Sequence, residues 1–166
     1  ARGAGAVADH GDLRLNAESG GAVGTLPGNF GQFFGGGVGV DRTVAVHKNL
    51  IGHQHEKGWT IIDAGWAALS SDRGTESQSV DQGYGLVCDL EGNIMHGLFV
   101  ANANQEHGII ARRADFQASI PDLPYGTKVR ILPIHACATV EQHALYNVIG
   151  ADKQKIAAKW TRLKGW

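Results

Sequence analysis

Cysteine is scarce in this chain: its 166 residues include only Cys88 and Cys137. Two thiols cannot build the disulfide framework of a small secreted domain, and although they could pair with each other, so few favour a reducing compartment. The sequence also has no Cys-x-x-Cys and no His-Glu-x-x-His spacing, which excludes the common four-ligand zinc motifs and the zincin proteases. We therefore expect a cytoplasmic protein.

An excess of positive charge and a long apolar run are also lacking. Lys and Arg number 15 against 16 Asp and Glu, which gives a formal net charge of -1. This balance argues against a nucleic-acid partner and against an anionic lipid surface. No apolar stretch approaches the ~18 residues of a membrane span, and residues 1–7 lack the long apolar stretch of a signal peptide. These absences predict a soluble domain with neither nucleic acid nor membrane as a partner.

The chain carries enough apolar residues for a core, and its glycines divide it. Hydrophobic residues make up 43% of the sequence, which favours one folded domain with a sizeable core. Half of the 24 glycines precede residue 41. We therefore separate a Gly-rich segment, residues 1–40, interpreted as loops or as the end of a preceding barrel domain, from a β-rich segment, residues 41–166.

Short strands at spacings of roughly 8–15 residues dominate the second segment. They are rich in β-branched and aromatic residues and are bounded by Gly, Pro, Asn or Asp. Pro133 should end its strand because it cannot donate to a ladder, and residues 140–145 are expected to form a short helical turn. The pattern is typical of a mainly β fold, an antiparallel barrel or sandwich. The expected strands cover residues 43–46 with a continuation to 51, 59–63, 84–89, 94–100, 108–112, 128–133, 146–149 and 155–157.

His135 and Cys137 form the most informative motif, a His-x-Cys within residues 129–139. In an extended segment residues i and i+2 point to the same face, so an imidazole and a thiol would enter one pocket. Neutral imidazole and thiolate are usual zinc ligands. The motif therefore indicates half of a metal site, completed by water or substrate. The alternative is a chance spacing in which Cys137 only packs, as free cysteines usually do.

Further motifs follow one another in a characteristic order along the chain. They are Ile61-Ile62-Asp63-Ala64-Gly65, Ala68-Leu69-Ser70-Ser71-Asp72, Gly83-Tyr84-Gly85, Asn104-Gln105-Glu106-His107-Gly108, Leu123-Pro124-Tyr125-Gly126-Thr127 and residues 130–139. As an ordered set they resemble the C-terminal domain of fold-type III pyridoxal-phosphate enzymes, the family of D-threonine aldolase and D-serine dehydratase. The resemblance covers residues 44–166.

The resemblance implies a site shared with another domain. An N-terminal α/β barrel would carry pyridoxal phosphate on a lysine, and this β domain would pack on that barrel and close the site. His135 and Cys137 would bind a divalent metal, zinc or manganese, which holds the substrate β-hydroxyl and lowers its pKa. Lys48 and Lys57 lack the surroundings of the family's cofactor lysine, so the cofactor is expected to bind mainly to the barrel domain. The family also suggests a homodimer.

His107 is the candidate catalytic residue, since imidazole can give or take a proton near neutral pH. Its Glu106-His107-Gly108 motif could instead brace a turn. Asp63 is expected to be structural, and Asp72 with Arg73 to form a surface ion pair or to line the site mouth. The remaining expectations are His53 and His55 in a solvated loop, His143 beside the metal ligands, and Trp160 and Trp166 packed at the terminus.

The resemblance predicts a D-threonine aldolase-like lyase that cleaves D-3-hydroxy amino acids to glycine and an aldehyde. Gly58-Trp59 and the terminus at residues 163–166 favour this branch. The alternative within the class is a D-serine or D-3-hydroxyaspartate dehydratase, which releases ammonia and a 2-oxo acid. The alternative of another class is a non-catalytic β module that binds a metal or a partner.

Overall fold

A computed structural model of the chain describes residues 13–16, 18–19, 40–41, 44–117, 119–149 and 155–162. These residues form short strands, two short helices and a 3-10 turn at His55–Lys57. No helix among them is long and apolar enough to cross a membrane. The elements are β1 (Leu13–Asn16), β2 (Glu18–Ser19), β3 (Val40–Asp41), β4 (Val44–Gln54), β5 (Trp59–Ile62), α1 (Trp66–Leu69), β6 (Gly85–Cys88), β7 (Ile94–Ala103), β8 (Gly108–Arg112), β9 (Lys128–Pro133), α2 (Ala136–Glu141), β10 (Leu145–Ile149) and β11 (Ile156–Thr161).

Six strands close into an antiparallel barrel. Their order is β4-β5-β8-β7-β6-β9, and β9 returns to pair with β4. Closure leaves none of these six as a free edge, which is how small β domains protect their ladders. Three strands extend the sheet beyond the barrel. β1 pairs with the barrel strand β4, β10 runs parallel to β1, and β11 lies antiparallel to β10. The prediction of a mainly β antiparallel barrel is confirmed.

The barrel interior is the hydrophobic core. Val46, Ile62, Val100 and Ile131 come from four different barrel strands and are completely buried. In β5, half-buried and buried residues alternate, as the period of two in a strand requires. Burying a side chain of this size contributes about 1.5–3 kcal/mol relative to leaving it exposed. The core is therefore built by residues that are distant in sequence.

Cys88 belongs to this core. Burial, together with the nearby Asp89 carboxylate, raises the pKa of its thiol to about 12. Cys88 and Cys137 are both free thiols, Cys88 buried and Cys137 exposed. Only Cys137 is therefore available to a metal or to another ligand.

Most predicted strands are confirmed, and three expectations need correction. The strand that starts the barrel extends to Gln54. The helical turn expected at residues 140–145 is wrong, because α2 already begins at Ala136. Trp160 is 52% exposed rather than packed, since β11 lies at the end of the strand order and its outer side has no neighbour among the described residues. Trp166 and residues 163–165 lie outside the described residues, and the domain division after residue 40 stays a prediction.

Antiparallel pairing gives the barrel two ends with different contents. At one end Ile62 pairs with Gly108 and Gly85 pairs with Pro133. Both helices follow strands that finish there, so we call it the helix end. At the other end Gln54 pairs with Trp59 across the 3-10 turn, and we call this the turn end. The predicted site residues His107, His135 and Cys137 all belong to the helix end.

Candidate metal centre

His135 connects the end of β9 to the start of α2. Its backbone is still extended, with φ -132° and ψ 91°, and the helix begins at the next residue. The ring Nδ1 contacts Oδ2 of Asp72. Because an ionised carboxylate can only accept, Nδ1 carries the proton and donates it. In the neutral ring Nε2 then keeps its lone pair, which is the state that a metal-binding imidazole requires.

Cys137 is the second residue of α2 and is exposed. The extended geometry expected for His135 and Cys137 is therefore wrong, because the chain is already helical at Cys137, and the two donors do not lie on one face of a strand. The helix starts early because Pro133 ends β9 and because Thr139, one turn further, is held against α1. The imidazole and the thiol still lie at the same end of the barrel, on either side of a helix start. The donor types therefore fit a metal, while the strand-face geometry does not apply.

Asp72 is held in place by a strained backbone. Ser70 has φ 81° and ψ 158°, a region that residues other than glycine rarely adopt. Its hydroxyl accepts the backbone N–H of Asp72 at 3.2 Å. Such strain costs about 1–3 kcal/mol and is found preferentially at functional sites. The expected ion pair between Asp72 and Arg73 is absent: Asp72 contacts His135, whereas Arg73 contacts Asp81.

Asp72 is the site residue that sequence reasoning did not assign. It lies within one of the family motifs, which left it at the site mouth or in a surface ion pair. Its partner His135 is 63 positions further along the chain. Only closure of the barrel brings the two together. The only hint of its role in the sequence is its place as the acidic residue at the end of the motif Ala68–Asp72.

Side chains of α2 and the residues after it bind the end of α1. The Thr139 hydroxyl donates to the Leu69 carbonyl at 2.7 Å, and His143 Nε2 donates to the Ala68 carbonyl at 3.0 Å. Both side chains are buried. They satisfy carbonyls that the end of a helix leaves without a partner. His143 therefore joins the two helices, and its expected place beside the metal ligands stays a prediction.

His107 lies in the connection between β7 and β8 and is exposed. Backbone carbonyls of this connection cap the N-terminus of α1. Trp66 N–H donates to the Asn104 carbonyl at 2.8 Å, and Ala67 N–H donates to the Gln105 carbonyl at 3.1 Å. A Cβ on Gly65 would lie 2.1 Å from the Asn104 oxygen, so only glycine permits this approach. The connection braces α1 through its backbone, which leaves the imidazole of His107 at the helix end.

Asp63 and His53 are structural. Asp63 accepts the backbone N–H of Asn49 at 2.6 Å and its side-chain amide at 2.8 Å, which joins β5 to β4 and agrees with the expected structural role. The solvated-loop expectation is wrong for His53, whose side chain is only 8% exposed. Its Nε2 lies 2.7 Å from the Leu123 carbonyl, and its Nδ1 lies 3.2 Å from the Thr60 hydroxyl.

A polar network supports the segment that leads from Asp72 to β6. Asp81 accepts the Gly83 N–H at 2.9 Å, the Thr75 hydroxyl at 3.0 Å and the Arg73 guanidinium. Burial would raise the pKa of Asp81, but these three donors and the Arg73 charge outweigh it and lower that pKa. Arg113 donates to the Asp81 carbonyl at 2.7 Å. The network fixes the chain directly after Asp72.

A metal at this centre would take only part of its ligands from the chain. The described residues contain no group of three or more His, Cys, Asp or Glu side chains that could hold a metal ion. His135 and Cys137 would therefore be at most two ligands, and Asp72 would act on the site through His135. Imidazole and thiolate suit zinc, and an incomplete protein shell is the arrangement of catalytic rather than structural sites.

The described lysines weighed for pyridoxal phosphate do not fit it. Lys48 lies within β4 and is 7% exposed. Lys57 lies in the 3-10 turn at the turn end, with Nζ 4.7 Å from the centroid of the Trp59 ring. Neither is placed at the helix end.

Known proteins resemble this chain over most of its length. A family model described as "Putative serine dehydratase domain" matches residues 43–149. The D-threo-3-hydroxyaspartate dehydratase of Delftia sp. (strain HT23) is 50% identical over 129 residues, 76% of this chain and 33% of that protein. The D-serine dehydratase of Saccharomyces cerevisiae is 34% identical over 83 residues, 47% of this chain and 19% of that protein. The chain thus spans no more than about a third of the length of these relatives.

Solved structures agree with the sequence comparison. The Delftia dehydratase superposes with a TM-score of 0.68 at 51% identity, covering 76% of this chain and 33% of that one. A D-threo-3-hydroxyaspartate dehydratase has also been solved as a Cys-to-Ala variant in the metal-free form and as a His-to-Ala variant, the two positions lying two residues apart. A D-threonine aldolase from Filomicrobium marinum, with a TM-score of 0.50 and 21% identity over 71% of this chain and 27% of that one, shares the fold.

Proposed function

Because the chain belongs to the serine dehydratase domain family, we propose that it is the C-terminal domain of a lyase that dehydrates D-3-hydroxy amino acids. The substrates are of the D-serine and D-threo-3-hydroxyaspartate class, and the products are ammonia and a 2-oxo acid. Pyridoxal phosphate belongs to a preceding α/β barrel domain, and a divalent cation, zinc or manganese, binds at His135 and Cys137. The whole enzyme is a cytoplasmic homodimer.

The contact between Asp72 and His135 is the observation that carries the proposal. It prepares Nε2 of His135 as a metal ligand, and the exposed thiol of Cys137 follows two residues later. A D-threo-3-hydroxyaspartate dehydratase has been solved with a Cys and a His replaced at the same spacing, once in a metal-free form. The equal spacing supports the assignment of His135 and Cys137 as the metal pair.

The residues of this chain have separate tasks in the proposed reaction. When bound, pyridoxal phosphate withdraws electrons from the substrate Cα, and the divalent cation polarises the β-hydroxyl. Asp72 keeps the proton on Nδ1 of His135 and so orients the ring. Cys137 provides the second donor. His107 at the helix end donates a proton to the departing β-hydroxyl, which then leaves as water.

Dehydration is favoured over the aldol cleavage predicted above. The family model and both relatives are named for dehydratases. The aldolase shares the fold at 21% identity, which carries no argument about the reaction. Metal ligands cannot separate the two reactions, because both begin from a metal-held β-hydroxyl.

The products of the full-length protein decide between the two reactions. With D-threonine as substrate, we expect 2-oxobutyrate and ammonia in equal amounts, and with D-threo-3-hydroxyaspartate we expect oxaloacetate and ammonia. Both pairs can be measured by chromatography and an enzymatic ammonia assay. Glycine and acetaldehyde in equal amounts from D-threonine would establish the aldolase instead.

The metal pair is tested by bound metal per chain. We expect Cys137→Ala and His135→Ala of the full-length protein to lose most of the metal that the wild type retains after dialysis. Cys88→Ala is the matched control for the first variant, because its thiol is buried in the core. Unchanged occupancy in Cys137→Ala would remove this residue from the site.

A further inference from the structure

A cavity of about 420 Å³ opens at the turn end of the barrel. It lies between the β4–β5 hairpin, the end of β8 and residues 119–122. Along β4, Val46 pairs with Ile131 towards the His135 end, whereas Gln54 pairs with Trp59 at the cavity. At ~3.3 Å per residue these two positions are roughly 25 Å apart. The cavity is therefore separate from the proposed metal centre, and its volume suits a small molecule.

Two permanent cations line the cavity and are already oriented. The ammonium of Lys57 lies 4.7 Å from the centroid of the Trp59 ring, a cation–π contact. The guanidinium of Arg112 donates to the backbone carbonyl of Phe116 and keeps further N–H groups for a ligand. Because both side chains are partly held beforehand, less conformational entropy is lost when a ligand binds.

A pair of histidines extends the same wall. The ring of His55 stacks on that of His53, with centroids 5.1 Å apart and an interplanar angle of 15°. His53 is fixed by the Leu123 carbonyl and the Thr60 hydroxyl. It therefore acts as a rigid platform for the exposed ring of His55, whose N–H adds a donor at the cavity.

Negative charge is nearly absent from the lining. Among the described residues that line the cavity, Asp122 is the only carboxylate. Its side chain is 82% exposed, and Oδ1 lies 3.8 Å from Nε2 of His53. The Asp122 side chain thus extends into solvent, and Lys57 and Arg112, which are also exposed, give the lining two cations against one carboxylate. Ala111, Ile120 and Pro121 supply an apolar part of the wall.

We propose that this cavity binds a small phosphate-bearing molecule, a phosphomonoester with an apolar or sugar-sized group. A phosphomonoester dianion matches the two permanent cations, and the forked donors of a guanidinium suit its oxygens better than a point charge alone. The apolar wall receives the rest of the ligand. A recess of this size admits a small molecule rather than a polymer backbone, and the proposal is independent of the reaction at the helix end.

The test uses calorimetry on the full-length protein with its cofactor and metal bound, so that cofactor phosphate sites are filled. Phenyl phosphate and benzoate share the ring and differ in the anionic group, so they separate phosphate from carboxylate recognition. We expect phenyl phosphate to bind and benzoate to bind more weakly. Lys57→Gln and Arg112→Gln should each weaken phenyl phosphate binding about tenfold, since each removes a charge-assisted contact.

Two further variants sharpen the test. Lys159→Gln removes an exposed cation on β11 and should leave binding unchanged. Asp122→Asn removes the carboxylate among the described lining residues and should strengthen binding about twofold or more, which decides the matter if the cation variants fail to fold. The proposal is overturned if the wild type does not bind phenyl phosphate, if benzoate binds more tightly, or if Asp122→Asn leaves the affinity unchanged.

Discussion

At the scale of single residues, the contact between Asp72 and His135 decides which nitrogen of the imidazole can bind a metal. A carboxylate on Nδ1 is the usual companion of a metal-binding histidine, because it sets the tautomer and the orientation of the ring. Ser70 places Asp72 by adopting a positive φ. In the proposed site Asp72 would therefore act through His135 and not as a ligand itself.

The first prediction concerns this positioning residue. Asp72→Asn should weaken metal binding about 10- to 100-fold, because an amide is uncharged and no longer enforces a proton on Nδ1. Competition with a chelator measures the affinity in the full-length protein. Asp115→Asn, the same change at an exposed position beyond the end of β8, is the control. Equal affinity in Asp72→Asn and wild type would show that Asp72 does not orient the ligand.

At the scale of elements, α1 is a four-residue helix that could not persist alone, because a helix of one turn does not repay its nucleation. Its start is closed by carbonyls of Asn104 and Gln105. Its end is closed by Thr139 and His143. The helix thus connects the segment bearing His107 with the one bearing His135.

The second prediction tests the closed start of α1. In Gly65→Ala the new Cβ would meet backbone oxygens at 2.1 and 2.4 Å, which cannot move without breaking the two hydrogen bonds. We expect the free energy of unfolding to fall by about 1–3 kcal/mol, as measured by urea titration.

Gly52→Ala is its control. Its Cβ would find ordinary contacts, the nearest at 3.6 Å to Ile61. Its stability should stay unchanged or rise by up to about 1 kcal/mol. A similar loss in both variants would show that the approach at Gly65 has no special role.

The third prediction concerns the network around Asp81. Because hydrogen bonds and the Arg73 charge lower its folded pKa below the ordinary value of 3.8, Asp81 stabilises the fold fully above pH 3.8 and loses this effect as the pH falls through the folded pKa. Asp81→Asn should therefore cost about 1–2 kcal/mol at pH 7, and the difference from wild type should shrink well below pH 3.8. Urea midpoints at both pH values measure this, and a difference that stays constant with pH would contradict it.

In the molecule as a whole, the closed barrel places the proposed metal site and the cationic cavity at opposite ends. Strand ends that finish at the helix end carry His107, Asp72, His135 and Cys137, while the cationic cavity lies at the turn end. The chain spans about a third of its dehydratase relatives. The helix end, which bears the proposed metal pair, is therefore the surface on which we expect the preceding domain to complete the site.

The fourth prediction follows from this incompleteness. The chain alone is incubated with pyridoxal phosphate and an excess of phenyl phosphate, which would occupy the cavity proposed at the turn end, and is then reduced with borohydride. No single lysine should be labelled stoichiometrically, because Lys48 is buried within β4 and Lys57 lies at the turn end. Peptide mass spectrometry identifies the labelled positions. The full-length enzyme is the positive control and should show one labelled lysine outside this chain. Specific labelling of Lys48 or Lys57 would contradict the division of labour between the domains.

The sequence alone predicted the strands, a mainly β barrel or sandwich and the family, because strand periodicity, turn residues and motif order are local features, whereas the metal pair His135 and Cys137 stays a prediction. Tertiary structure alone decided the rest. The pairing of Asp72 with His135 and the fixing of His53 by Leu123 join residues 63 and 70 positions apart, and Thr139 reaches α1 across 70 positions. Such contacts exist only after β9 has closed on β4, so no local pattern could predict them, and the start of α2 at Ala136 followed from the same closure.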